Sequence, residues 1–213
     1  MSGMLASAKV QRALLGVLVA LLAAIAAVLV VDRAGSDSGS GSVGTVAANV
    51  LEGNTLPAHL RAADFTLRDE NGRPLSLAAD RGHVVVLTFI HSLCKDDCPF
   101  MVEQIKGALN LLPGRGRDVR VIGVSADPRE DTVHNRRRFL AKHEMTHRMR
   151  YLNGPLPVMR RIWKDYAVQP VSAHADHSTF VFLISPSGYE KVGIPAVQVT
   201  PGLLAHDIRA LAR

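Results

Sequence analysis

The chain contains two cysteines, Cys94 and Cys98, in the stretch Thr88-Phe-Ile-His-Ser-Leu-Cys94-Lys-Asp-Asp-Cys98-Pro99. Further along lies a second cluster of metal-ligating types, His174-Ala-Asp176-His177. Two sulfurs so placed form either a redox couple or a clamp for a soft cation. The three residues between them, Lys95-Asp96-Asp97, let both sulfurs face one ion while leaving disulfide formation open. The second cluster, some eighty residues on and again beside a strand-like run, favours the metal. Two thiolates and one imidazole suit copper, because soft sulfur selects Cu(I) and imidazole also suits Cu(II). Such a site has no need of a fourth protein ligand and leaves an open side for a partner.

His177 is the best candidate for the nitrogen donor, since it stands just before a strand-like run beginning at Thr179. His174 is an alternative, and Asp176 is placed to hold the loop or tune the imidazole. His91 and Cys94 are three positions apart, so in an extended segment they point to opposite faces. His134, His143 and His147 read as solvent-facing helix residues. Cys98-Pro99 marks a helix start, where proline is pre-organised for the first turn. A helix N-terminus offers partial positive charge and free N–H groups, which lower a thiol pKa. Lys95 acts in the same direction, whereas Asp96 and Asp97 oppose it.

These residues need a scaffold, and the pattern around them supplies one. Val84 to Ile90 is a continuous apolar and β-branched run, the signature of a strand buried on both faces. Pro99 to Leu112 has helical spacing and stops at Pro113-Gly114. Val119 to Ser125 reads as a second buried strand and Asp131 to Lys142 as a charged helix. Met149 to Leu152 is a short strand, Leu156 to Tyr166 a helix, and Thr179 to Ile184 a third long strand. A pairing run follows at Tyr189 to Gly193, then a helix over Leu203 to Leu211. Upstream, Phe65 to Leu77 folds as a hairpin about Asn71-Gly72. This order predicts an α/β, thioredoxin-like fold, a central mixed sheet flanked by helices. In such sheets chemistry gathers at the C-terminal ends of the parallel strands, where Cys94 falls.

The chain has 213 residues and a formal net charge of +6. Its basic residues are spread over several helices and its aromatics are few, which argues against a nucleic-acid surface. Arg136-Arg137-Arg138 reads as a solvated helix face. Ala13 to Val31 is nineteen residues without a charge, about 28 Å as a helix and close to the thickness of a bilayer core. Lys9 and Arg12 precede it, which leaves the N-terminus in the cytoplasm and the remainder outside. The run exceeds the usual apolar region of a cleaved signal peptide. The expected organisation is a cytoplasmic segment 1–12, a transmembrane anchor 13–31, a flexible linker 32–55 and one domain over 56–213. The expected location is a cell inner membrane, single-pass, with the domain on the extracytoplasmic (periplasmic) side. There a lone cysteine pair can oxidise and persist as a disulfide.

Three segments in order carry a family resemblance: Thr88 to Pro99, then Val124-Ser-Ala-Asp127-Pro-Arg-Glu-Asp131-Thr132, then Asp176-His177-Ser178-Thr179-Phe180 through Gly188. Together they resemble the Sco/SenC family of membrane-anchored copper chaperones, over the chain from about Phe65 to its end. The resemblance implies a thioredoxin-like fold with copper held by Cys94, Cys98 and His177. It also implies a partner, the copper-bearing subunit of cytochrome c oxidase or another copper protein, served by copper delivery, by reduction of its cysteines, or by both. Asp127 is implied as a supporting residue near the metal loop. That role is a metal carrier's more than an enzyme's. The family usually has proline where Lys95 stands and an aromatic where His91 stands.

Three other readings compete. A membrane-anchored thiol–disulfide oxidoreductase without metal needs the cysteine pair but not His177. A peroxidase of the peroxiredoxin type lacks the proline it should have shortly before Cys94. A zinc-stabilised binding module would close with four ligands, Cys94, Cys98, His174 and His177, across a very long gap.

Overall fold

Unbroken β-branched and apolar sequence gives the central strand, and side-chain alternation then divides the core in two. A computed structural model describes residues 50–170 and 180–213. The strands are β1 (Thr66–Arg68), β2 (Pro74–Ser76), β3 (Val85–Ile90), β4 (Arg120–Ser125), β5 (Arg150–Leu152), β6 (Phe180–Ile184) and β7 (Glu190–Pro195). The α-helices are α1 (Asp97–Leu111), α2 (Val133–Lys142), α3 (Leu156–Asp165) and α4 (Pro201–Leu211). Five strands form one sheet in the order β5-β4-β3-β6-β7, and β1 pairs with β2 as a separate hairpin. β3, β4 and β5 run parallel, while β6 and β7 are antiparallel to their neighbours. A parallel half followed by an antiparallel half, each backed by helices, is the thioredoxin-like plan the sequence predicts.

β3 sits at the centre with all six residues buried. Val86 and Ile90 point to the face covered by α1 and α4, against Met101, Ile105, Leu204 and Ile208. Val85, Leu87 and Phe89 point the other way, against the hairpin residues Phe65 and Leu67 and against Met159, Ile162 and Trp163 of α3. Thr88 is the polar exception. Its hydroxyl donates to the Phe180 carbonyl at 2.8 Å, tying β3 to the start of β6. Antiparallel pairing sets Thr88 opposite Val181, so the chain enters β6 at the end of the sheet where β3 finishes.

Residues 52–55, within the expected linker 32–55, are bonded to α4 and β7. Glu52 and Gly53 donate backbone N–H groups to the buried Asp207 carboxylate of α4, at 2.7 and 2.9 Å. Thr55 bridges Val192, and Asn54 accepts from the Gly193 N–H. This segment covers β7, the edge strand, whose unpaired backbone groups would otherwise face solvent. Gly53 fits because a Cβ there would lie 2.4 Å from Val192 Cγ1. Among the described residues no helix is long and apolar enough to cross a membrane. The expected anchor at 13–31 lies outside them.

Candidate metal centre

The chain leaves β3 at Ile90 and turns at once, with the Cys94 N–H donating to the His91 carbonyl at 3.1 Å. It then enters α1, whose first turn holds Asp97, Cys98 and Pro99. Both cysteines are therefore fixed where the central strand ends and a helix begins. Cys94 is partly exposed and Cys98 is fully buried. The two side chains share a hydrogen bond, so the sulfurs face each other across the three-residue gap. The His91 N–H also donates to Cys98 Sγ, at 3.4 Å. The alternation argument for His91 fails here because the segment is a turn and not an extended strand. What His91 gives the site is its amide.

The expected lowering of thiol pKa by the helix N-terminus does not hold for Cys98. Its pKa is raised far above the usual thiol range, first by the hydrogen bond shared with Cys94 and next by burial. The His91 amide opposes this, while the charge of Asp131 adds to it. Cys98 is thus held as a thiol, and Cys94 is the sulfur that solvent or a partner meets first. A soft cation would replace the shared proton and remove the main cause of the shift, which ties metal uptake to proton release.

Under the loop lies a buried polar network that the sequence reading missed. Asp131 is fully buried. Its carboxylate accepts from the Ser92 N–H at 2.8 Å and from the Ser125 hydroxyl at the end of β4. Asp131 was expected to open a charged helix, but α2 begins at Val133, capped by Thr132. Tyr151, also fully buried, donates its hydroxyl to the Ile90 carbonyl at 3.0 Å. Burial, then the charge of Asp131, keeps that phenol well above its ordinary pKa. Arg136 is 4 % exposed and donates to the backbone carbonyls of Asp131 and Tyr151. That corrects the solvated-face reading of Arg136-Arg137-Arg138 for its first member. The Trp163 indole N–H closes the network on the Ser125 carbonyl at 3.0 Å. Asp131 is the visible signal in the sequence, because it lies in the Val124-to-Thr132 segment that carried the family resemblance.

Asp127 caps its own turn, accepting from the N–H groups of Arg129 and Glu130. It shapes the segment that delivers Asp131. His134 is an exposed helix residue as expected, whereas His147 is exposed on a turn past the end of α2. His143 is not: it is 6 % exposed, with Nδ1 at 3.0 Å from Glu103 Oε1. His174, Asp176 and His177 lie outside the described residues, and Phe180, the next described residue, sits beside Thr88. Among the described residues no three His, Cys, Asp or Glu side chains come together as a metal site. A larger cavity, about 1000 Å³, is at the other end of the sheet, lined by Arg120 and Arg150 at the starts of β4 and β5. It holds neither sulfur, so size is no guide to the chemistry here.

A family model described as SCO1/SenC matches residues 54–213. The SCO1 protein homolog of Bacillus subtilis is 28% identical over 90 residues, 42% of this chain and 47% of that protein. The mitochondrial SCO2 homolog of Bos taurus is 28% identical over 158 residues, 67% of this chain and 58% of that protein. The chain thus spans about half the length of these curated relatives. Among solved structures, copper-bound ScoI of Bradyrhizobium japonicum superposes with TM-score 0.60 at 22% identity, covering 71% of this chain and 99% of that one. BsSco, described with a disulfide switch, superposes with TM-score 0.63 at 22% identity, covering 74% of this chain and 96% of that one. At these identities the superpositions establish the fold, and the match to the family model over most of the chain establishes its kinship: the protein belongs to the SCO1/SenC family.

Proposed function

We propose that this protein is a copper carrier that binds one copper ion through Cys94, Cys98 and His177. It hands the ion to a copper protein, the copper-bearing subunit of cytochrome c oxidase being the favoured recipient. The observation that carries the reading is the pair of sulfurs hydrogen-bonded to each other at the C-terminal end of β3. The position of Phe180 supports His177 as the third donor. His177 is three residues upstream, within about 10 Å of backbone reach of a strand that starts beside Thr88. Among relatives, ScoI has been seen with copper bound, and BsSco is described as belonging to a family of cytochrome c oxidase assembly proteins.

In this reading copper is cargo. Cys94 makes first contact because it is partly exposed, and Cys98 follows with loss of the shared proton. The His91 amide and the network beneath the loop hold Cys98 in place. The partly open side at Cys94 is where a recipient takes the ion. Residues 13–31 would anchor the protein in the inner membrane, with the domain on the extracytoplasmic side.

Adding Cu(II) to the reduced protein is expected to give one equivalent bound, with thiolate-to-copper charge-transfer absorption. His177→Ala should weaken or shift that band. Identical titrations for parent and variant would remove His177 from the ligand set. A second reading, thiol–disulfide exchange without metal, is favoured by the asymmetry of the pair, one sulfur exposed and its neighbour buried. In that case exchange with a partner would be unaffected by His177→Ala.

A further inference from the structure

Beside Cys94 the surface opens into a cleft of about 330 Å³ between the cysteine loop and α2. Asn135, Arg138, Phe139 and Lys142 line it from positions three, four and seven apart, which is one face of α2, and His143 lines it just past the helix end. Lys95 lines it from the loop side. No carboxylate lines the cleft. Lys95, Arg138 and Lys142 are exposed, and none of them enters an ion pair among the described residues. The neighbouring arginines are committed elsewhere, Arg136 to the buried network and Arg137 to the Glu70 carbonyl. Acidic groups are near: Asp96 and Asp97 follow Lys95 in the chain, and Glu103 stands behind His143. Glu103, however, is engaged by Lys106 at 2.6 Å as well as by His143.

One lining residue, His143, carries a buried polar atom that is unmet among the described residues. His143 is 94 % buried, lies against Phe139 with ring centroids 4.6 Å apart and the rings tilted by 48°, and has Nδ1 occupied by Glu103. Its Nε2 is buried with no hydrogen-bond partner among the described residues. Three exposed cations outside any ion pair among the described residues, lining one cleft with a partly exposed sulfur, describe a site for an anion that carries sulfur.

We propose that this cleft binds a small thiol bearing carboxylates, of the glutathione class, and presents its sulfur to Cys94. The proposal rests on the redox arm of the function given above, and it names the reductant or oxidant with which the cysteine pair exchanges. The volume lies at the lower end of ordinary ligand pockets, about 300–1,000 Å³, and suits a molecule of tripeptide size. Arg138 can hold a carboxylate through two parallel N–H bonds, with Lys142 and Lys95 as point charges for a second.

The exchange balances. The Cys94 thiolate attacks one sulfur of the oxidised ligand, breaking its S–S bond and forming a mixed disulfide, and one equivalent of ligand thiol leaves with a proton. Cys98 then attacks the Cys94 sulfur, releasing the second equivalent. The protein gives up two electrons and two protons, and the ligand disulfide takes them. Reduction of the protein by two equivalents of ligand thiol is the same sequence reversed.

The test is the rate of mixed-disulfide formation at Cys94 in the full chain carrying Cys98→Ser, which traps the first step. Oxidised glutathione, neutral hydroxyethyl disulfide and cationic cystamine are compared at low salt by mass spectrometry. Oxidised glutathione should react about tenfold faster than hydroxyethyl disulfide, and cystamine more slowly than either. Arg138→Ala combined with Lys142→Ala should remove that preference, read as the ratio of the oxidised glutathione rate to the hydroxyethyl disulfide rate of the same variant, with the parent's far-UV circular dichroism retained. Arg160→Ala with Arg161→Ala, an equal loss of charge on α3 across the sheet, should leave the preference in place.

Equal rates for the three disulfides would overturn the proposal. So would a preference that survives the Arg138 and Lys142 changes, or one that the α3 changes remove equally well. An acidic cysteine-containing peptide disulfide reacting more than tenfold faster than oxidised glutathione would assign the cleft to a protein segment and likewise overturn it. Copper titration of the protein with both cysteines present is a separate readout. If copper fails to bind while the thiol preference stands, the carrier reading falls and this one remains.

Discussion

Cys98→Ser is expected to abolish stoichiometric copper binding and the intramolecular disulfide together, in a protein that still folds. Cys98 lies at the bottom of the site, fully buried, between the Cys94 sulfur and the His91 amide. A hydroxyl can accept the His91 N–H and fill nearly the same space, so the cost to stability is small. It cannot supply a soft anionic donor. The affinity for Cu(I) should fall by at least about a thousandfold, equivalent to roughly 4 kcal/mol of binding free energy. Cys94→Ser should lose copper to a similar extent. The two variants part company in thiol chemistry: Cys98→Ser still forms mixed disulfides at Cys94, whereas Cys94→Ser leaves only a buried thiol that small disulfides reach slowly. Competition titration with a Cu(I) chelator and a mixed-disulfide assay check both statements. Near-parental copper affinity in either variant would show that the pair does not act as one clamp.

The second large effect concerns Asp131, which binds nothing in the site and yet holds it up. Asp131→Ala removes the acceptor for the Ser92 N–H in the cysteine loop and for the Ser125 hydroxyl at the end of β4. It also takes away an anion whose charge favours the protonated state of the buried Arg136. Breaking one member of a buried charged network costs about 3 kcal/mol or more, because the groups left behind stay desolvated and unpaired. A fall of that size should appear as a large shift of the urea unfolding midpoint with little change in slope. Asp131→Asn keeps one acceptor oxygen and should recover part of the loss. A midpoint within experimental error of the parent for Asp131→Ala would mean that the network does not brace the loop.

The contrast between these two residues shows what the sequence made legible. Cys94 and Cys98 could be found because two sulfurs beside a β-branched run are chemically conspicuous and the run's period places them at a strand end. Helix and strand order followed from periodicity, and β3, α1, β4 and α3 came out within about two residues of their expected bounds. Asp131 and His143 were misread for one shared reason. A charged residue in an amphipathic pattern reads as solvent-facing unless its buried partner is known, and those partners are far away in sequence. Ser92 is 39 residues from Asp131, and Glu103 is 40 from His143. Local pattern carries no record of such pairings. His91 was misjudged differently: alternation holds only while a strand continues, and the chain turns at that residue. The contacts of residues 52–55 left no local signal because Glu52-Gly53-Asn54-Thr55 is polar and glycine-containing. Their partners are Asp207 and β7, at the far end of the chain.

Copper X-ray absorption on the copper-loaded protein, parent and His177→Ala, tests the central claim most directly, since it reports the atoms around the ion. The account predicts two sulfurs and one imidazole nitrogen in the parent, and the same two sulfurs without that imidazole in the variant. An unchanged set of copper neighbours in His177→Ala, or a parent with fewer than two sulfurs, would contradict it.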